Sequence, residues 1–456
     1  MTKILIRDAR VIITRDSKKR ILNNKSILIN GRKIEKIGDL PDTDADEVID
    51  ARGKVVVPGF INTHHHLFQT LTRNLPGAQN AKLFDWLEYL YNIWQHIDED
   101  AIELSTKVGM GELLLTGCTT TSDHLYLYPE NSGNRLIDIE INSAAGMGIR
   151  FHPSRGSMSL SKDEGGLPPR GVTQDKDKIL YESERVIDRY HDPGRFSMCR
   201  VVLAPCSPFS VKEEVMRDTA ALARAKGVFM HTHLAETKDE ELFCLKNTGQ
   251  RPLEYMEKLN WTGRDVWFAH CVHLDDYEID RLAESGSGVS HCPSSNMRLG
   301  SGIAPVRKML DRGVNVSLAV DGSASNDSSD MLGELRMAMM CARHKTGVDS
   351  MGASDVIGMA TEGGAAVLGR DDIGSIEENK AADIAIFNVD RLDFAGAGSD
   401  YAASIVFCGA CHLADTVIVN GKVKVKDSKL SGIDTGELVE EANRISEKIR
   451  RKAGID

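Results

Sequence analysis

Basic charge is in short supply: 56 lysines and arginines face 67 aspartates and glutamates, for a formal net charge of -11. Proteins that bind nucleic acid carry a basic footprint, so this balance argues against DNA or RNA as a partner. It leaves open a single nucleobase, which is neutral and needs no basic groove. Long uninterrupted apolar runs are missing too. The opening stretch MTKILIRDARVIITRD breaks up its hydrophobic residues with charges, unlike a signal peptide, and no later segment is apolar for long enough to span a bilayer. A disulfide framework is equally absent. Nine cysteines, an odd number, are scattered over 456 residues, a usage that suits a reducing compartment and makes the cytoplasm the expected location. Cys408 and Cys411 form one C-x-x-C with no second pair and are read as structural. What is present is an ordinary globular composition, 41% hydrophobic and 27% charged, sufficient for a large core.

Both ends of the chain read as β-structure. Residues 2–58 hold the alternating runs ILIRDARVIIT, SILINGRKIEKIG and EVIDARGKVVVPG, with a hairpin signal at Asn30-Gly31. The other end repeats the device in ADIAIFNV and TVIVNGKVKVKD, with Asn420-Gly421 at a turn. The two ends are therefore expected to build one small composite β-sandwich domain, residues 1–59 and 369–456, closed by a surface helix in GELVEEANRISEKIRRKAG. Residues 60–368 alternate short apolar runs with helix-period segments, the pattern of a parallel α/β fold. Eight runs read as strands: VVVPGFIN, CTTTSDH, IRFHPS, CRVVLAPC, GVFMHTHL, VWFAHC, GVSHC and VNVSLAVD. Eight strand–helix units imply a (β/α)8 TIM barrel.

His64 and His66 follow the first of these runs, and His233, His270, His291 and Asp321 end later ones. In such a barrel the carboxyl ends of the strands converge on one mouth, where active sites form. Any one histidine alone reads as a satisfied core residue; the whole set on successive strand ends does not. Alternate side chains of a strand share a side, so His64 and His66 face inward together while His65 points away. His233 adds a third position and Asp321 a carboxylate. Three nitrogens and one oxygen suit one zinc or ferrous ion per chain. His65 and His231 are read as packing or supporting residues. The fourth strand run ends in Cys206 without a lysine to bridge a second ion, and Cys206 is read as a pocket-wall residue.

The stretches PGFINTHHH, HTHLAET, AHCVHL, SHCPSSNMRLGSGIAPV and VDGSASND resemble the amidohydrolase superfamily, in particular its aminohydrolases of guanine, S-adenosylhomocysteine, chlorinated triazines and 8-oxoguanine. The resemblance covers nearly the whole chain. Position by position it implies His64, His66, His233 and Asp321 as metal ligands, Glu236 as the proton-transfer residue, and His270 as the histidine beside the attacking water. A divalent ion so held would make water nucleophilic near neutral pH. Glu236 would move a proton to a ring nitrogen, and Asp321 would pass one to the departing amine.

Gln69, three residues past His66, offers one acceptor and two donors to a heterocycle edge, and the resemblance places glutamine there in guanine deaminases. Trp94 is expected as a stacking lid, and Tyr126 and Arg155 as partners for carbonyl oxygens. The resemblance implies a deaminase converting 8-oxoguanine to uric acid and ammonia, with isocytosine as a smaller substrate, and these groups are compatible with it. The alternatives are a triazine chlorohydrolase or alkylaminohydrolase, a guanine- or adenosine-type deaminase, and a non-catalytic barrel used in assembly. The expected partners are a small nucleobase-like substrate and further copies of the chain in a homo-oligomer, with no nucleic acid and no membrane.

Overall fold

The computed structural model describes residues 2–41, 43–133 and 135–455. Eight strands run Phe60–Asn62, Cys118–Leu125, Arg150–Ser157, Val202–Pro205, Phe229–Leu234, Val266–His270, Gly288–His291 and Val316–Leu318. Each pairs in parallel with its neighbour in chain order. The ring closes between the last and the first, where Thr63 N–H donates to Leu318 O at 3.4 Å and Val320 N–H to the Asn62 side chain at 2.9 Å. The strands are buried on both faces apart from the partly buried Phe229, as expected when helices cover a parallel sheet. Local signals set the helices. Asp98 caps the helix Glu99–Leu115 by accepting from Ala101 N, and Asp275 with Glu278 forms a capping box on Asp276–Ser285, which stops at Gly286 with φ 76°. Among the described residues no helix is long and apolar enough to cross a membrane.

The first expected strand divides in two. Lys54–Pro58 pairs antiparallel with Ile384–Asn388 in the terminal sheet, and only Phe60–Asn62 enters the barrel. Gly59 is the joint. A Cβ there would lie 2.1 Å from the Thr119 side chain, so only glycine lets the chain pass this close to the second barrel strand.

The two ends of the chain build one nine-stranded sheet. Lys3–Ile13 is its spine: its first half pairs with Glu47–Asp50, its second with Lys54–Pro58, and a bulge between Ile6 and Ala9, with Asp8 at φ 54°, lets one strand serve both. The sheet has its own apolar core, including Ile4, Ile6, Ile29, Val56, Ile384 and Ile418. The two Asn-Gly turns meet: a Cβ on Gly421 would lie 1.8 Å from Gly31 O. Arg150, wholly buried at the start of the third barrel strand, fixes the sheet to the barrel through Asp383 at 3.0 Å and the carbonyl of Phe196 at 3.0 Å. The C-terminal helix Thr435–Lys452 leaves the domain that the sequence assigned it to. Ala442, Ile445 and Ile449 form its buried stripe, and it lies on the barrel side, where Ser446 donates to Leu71 O at 2.6 Å and Lys448 pairs with Asp98 at 2.8 Å.

Candidate active site

The histidines of the first and fifth strands arrive with their protonation already decided by the backbone. His66 Nδ1 lies 2.9 Å from His124 O, and His233 Nδ1 lies 2.6 Å from Cys206 O. A carbonyl only accepts, so each Nδ1 carries the proton. His231 Nδ1 likewise donates to Trp267 O at 3.0 Å, which leaves its Nε2 to accept from His64 Nδ1 at 2.7 Å. Burial, above all, drives the pKa values of His64, His66 and His233 below the ordinary histidine range and keeps the rings neutral. All three Nε2 atoms are therefore bare. His66 Nε2 lies 3.1 Å from His233 Nε2, and His64 and His66 Nε2 lie 3.3 and 3.4 Å from Asp321 Oδ1.

Lone pairs and a carboxylate facing one another without a proton repel, and His64 Nε2 has no hydrogen-bond partner among the described residues. The donor set fits a divalent cation, which would satisfy all four groups at once. His65 points the other way, to Ser329 Oγ at 3.0 Å.

Asp321 is fixed by Gly322 N–H at 2.6 Å and Ser325 Oγ at 3.2 Å. Burial acts to raise its pKa, but His64, His270 and His66 outweigh it and hold the carboxyl well below the usual range. His270 donates from Nδ1 to Asn296 Oδ1 at 2.9 Å and turns Nε2 toward Glu236 at 3.6 Å and Asp321 at 3.9 Å. Burial opposes a charge on this ring, yet the two carboxylates and Asn296 prevail and raise its pKa. Burial raises the pKa of Glu236, with His270 acting against it. A buried carboxyl and an imidazole side by side, both with perturbed proton affinities, mark a candidate proton-transfer site. Ala235, His270 and Asp321 all stand at positive φ, 50°, 72° and 65°, a strained backbone of the kind found at functional sites.

These groups floor a cavity whose wall includes Gln69, Trp86, Tyr91, Tyr126, Cys206 and Phe209. Gln69 lies in the turn Leu67–Thr72 and packs over Gly322, where a Cβ would fall 2.0 Å from its Oε1. Burial pushes the Cys206 thiol up to about 12, which suits a wall residue rather than a thiolate ligand.

Two expected substrate contacts do not reach the cavity. Trp94 is fully buried in the last turn of its helix, with its indole N–H on Thr72 Oγ1 at 3.0 Å and its ring edge-on to Phe68. Trp86 and Tyr91, from the same helix, form the wall that it supports. Arg155 is held by Gln174 at 2.7 Å and lies 4.0 Å over the Tyr128 ring, so its guanidinium is already engaged.

Two other residues escaped the sequence reading. His124 donates from Nε2 to Ala204 O at 2.7 Å and brings a fourth ring beside His64, His66 and His233; its place at the end of CTTTSDH was the available signal. Asn296 sits in the short helix Pro293–Arg298 that follows the seventh strand.

The turn that carries Gln69 is anchored from behind by Asp123, whose Oδ1 accepts from Leu67 N–H at 2.6 Å. Among the described residues neither Asp123 Oδ2 nor Glu140 Oε2 has a donor, which a proton shared between the two paired carboxyls would supply. Burial raises the Asp123 carboxyl to about 7, and Glu140 well above its usual range. A raised carboxyl pKa contributes stability that is complete below its unfolded value, near 4, and is lost as pH climbs through 7. Asp123→Asn removes that loss. The melting temperature of the variant relative to wild type is therefore expected to rise between about pH 5 and about pH 8; an offset equal at both values contradicts the shared proton.

The amidohydrolase family model matches residues 55–424. An 8-oxoguanine deaminase from Pseudomonas aeruginosa is 43% identical over 415 residues, 91% of this chain and 92% of that one. A hydroxydechloroatrazine ethylaminohydrolase from Pseudomonas sp. (strain ADP) is 36% identical over 464 residues, 98% of this chain and 96% of that one. The crystal structure of an atrazine chlorohydrolase from Arthrobacter aurescens TC1 complexed with zinc superposes with a TM-score of 0.93 at 34% identity, covering 97% of this chain and 100% of that one.

Proposed function

The chain belongs to the amidohydrolase family, and from that premise we propose that it hydrolyses the exocyclic amino group of 8-oxoguanine, giving urate and ammonia, with one zinc ion held by His64, His66, His233 and Asp321. The observation that carries the reaction class is the juxtaposition of Glu236 and His270 beside Asp321, across from three bare imidazole nitrogens. The choice of base is supported by the 43% identity to an 8-oxoguanine deaminase over nearly the full length of both chains.

When bound, the ion supplies Lewis acidity that makes water a nucleophile near neutral pH. Glu236 takes a proton from the attacking water and delivers it to the ring nitrogen next to the amino-bearing carbon, which makes that carbon more electrophilic. His270, fixed by Asn296, turns Nε2 to the oxygen that gains charge. Asp321 accepts the second proton of the water and passes it to the amine, which leaves as ammonia while the carbon becomes a carbonyl. Gln69, packed on Gly322 beside Asp321, presents its amide to the carbonyl-bearing edge of the base, and Trp86, Tyr91 and Phe209 shield the ring from water.

The ethylaminohydrolase and the zinc-bound chlorohydrolase support a second reading, displacement of an alkylamine or chloride from a triazine in the same pocket. Catalytic efficiencies on 8-oxoguanine, isocytosine, guanine, an ethylamino-triazine and a chlorotriazine separate the two. The deaminase reading predicts 8-oxoguanine first, isocytosine next, and guanine behind by about a hundredfold or more, because a pocket with polar groups placed for one base leaves them unpaired with another. A clear preference for guanine or for either triazine overturns the substrate and leaves the metal and proton-transfer assignments standing.

A further inference from the structure

Glu240 is wholly buried, and none of its partners among the described residues is a lysine or arginine. Its two carboxylate oxygens are instead spent on consecutive peptide groups: Oε1 accepts from Ala235 N–H at 2.8 Å and Oε2 from Glu236 N–H at 3.0 Å. These peptides form the tight exit from the fifth barrel strand. Ala235 stands there at φ 50°, a left-handed conformation that an alanine does not hold unaided. The far side of the same turn is tied to the sixth strand, since Ala235 O accepts from Val272 N–H at 3.0 Å and His273 N–H at 2.9 Å, just past His270. Glu240 in turn is set by its helix, Lys238–Thr248, which Thr237 caps.

A buried carboxylate without a cation is a poor choice for stability alone, because an apolar side chain avoids the cost of dehydrating the charge. Its geometry suits a different task. We propose that Glu240 is the positioning residue for Glu236: by clamping the two N–H groups of the turn it sets where the Glu236 carboxyl stands relative to His270 and Asp321. The proposal rests on the reading of Glu236 as the proton-transfer group. Glu240 does not line the substrate cavity, and its carboxylate reaches the site through the backbone of Ala235 and Glu236.

Glu240→Gln keeps the shape but turns an amide NH₂ toward a peptide N–H that needs an acceptor. In the zinc-loaded enzyme it is expected to lower kcat by about ten- to a hundredfold, the scale of a small misplacement of a reacting group, with KM within about threefold and zinc content unchanged. The decisive comparison is the same change in a Glu236→Gln background, where it should cost less than about threefold because the group it positions is gone. Glu240→Asp, which keeps the charge but falls short of both N–H groups, provides the same cycle if the glutamine variant does not fold. An unchanged kcat in Glu240→Gln, or an equal loss in both backgrounds, overturns the clamp while leaving Glu236 in its role. An unchanged kcat in Glu236→Gln overturns both.

Discussion

Replacing Glu236 by glutamine is expected to lower kcat by about 10²- to 10⁴-fold, the range supplied by a positioned general acid–base, while leaving zinc content and melting temperature near those of the wild type. Glu236 is buried at the cavity floor, and among the described residues the only hydrogen bond to its carboxylate is a long one from Ser301 Oγ at 3.5 Å. Its carboxyl is therefore not part of the scaffold. Burial raises the proton affinity of Glu236, with His270 at 3.6 Å acting against it. Glutamine fills the same space and can still donate and accept hydrogen bonds, but it cannot exchange a proton at neutral pH. Steady-state kinetics on 8-oxoguanine with metal analysis of the same sample measure this. Turnover within about threefold of wild type would show that protons move by another route.

His66→Ala is expected to be the most damaging single change at the metal site. His66 Nε2 faces both His233 and Asp321, at 3.1 and 3.4 Å, so its loss removes the nitrogen that links the two halves of the donor set. Zinc retained after dialysis should fall from about one per chain to near zero, and activity by about 10⁴-fold or more, because both the Lewis acid and the orientation of the water go with it. Zinc returned to dialysed wild type restores activity, and zinc given to the variant does not. His65→Ala is the control: its ring bonds to Ser329 on the outer side of the same strand, so the variant keeps its metal. Full metal content in His66→Ala would refute the assigned site.

The barrel was legible in the sequence because its strands are short apolar runs separated by helix-period segments, and because histidines, rare inside strands, recur at their ends. His64 and His66 are two apart in the segment that leaves the first strand, and period two alone gives their common side. What local pattern does not carry is the choice of hydrogen-bonding partner. VVVPGFIN reads as one strand, yet Val57 and Phe60 belong to different sheets, and only the closeness of Thr119 to Gly59 shows why the chain changes partner there. The wall of the cavity was hidden for a related reason. Trp86 and Trp94 look alike in a helical pattern, and their roles divide on whether the ring meets the cavity or Phe68 and Thr72, residues that approach from another segment. Arg155 at a strand end resembled a ligand-binding cation; Tyr128 and Gln174, which engage it, come from separate loops. His124 carried the same strand-end signal as the assigned histidines but stood alone on its strand, without the paired spacing that marked the first and fifth.

The most direct test of the account is the fate of 8-oxoguanine incubated with the zinc-loaded protein in water enriched in oxygen-18. The account predicts one ammonia released per base consumed, and urate carrying one labelled oxygen at the carbon that held the amino group. Base consumed without ammonia, urate without the label, or no conversion by protein with a full complement of zinc would contradict it.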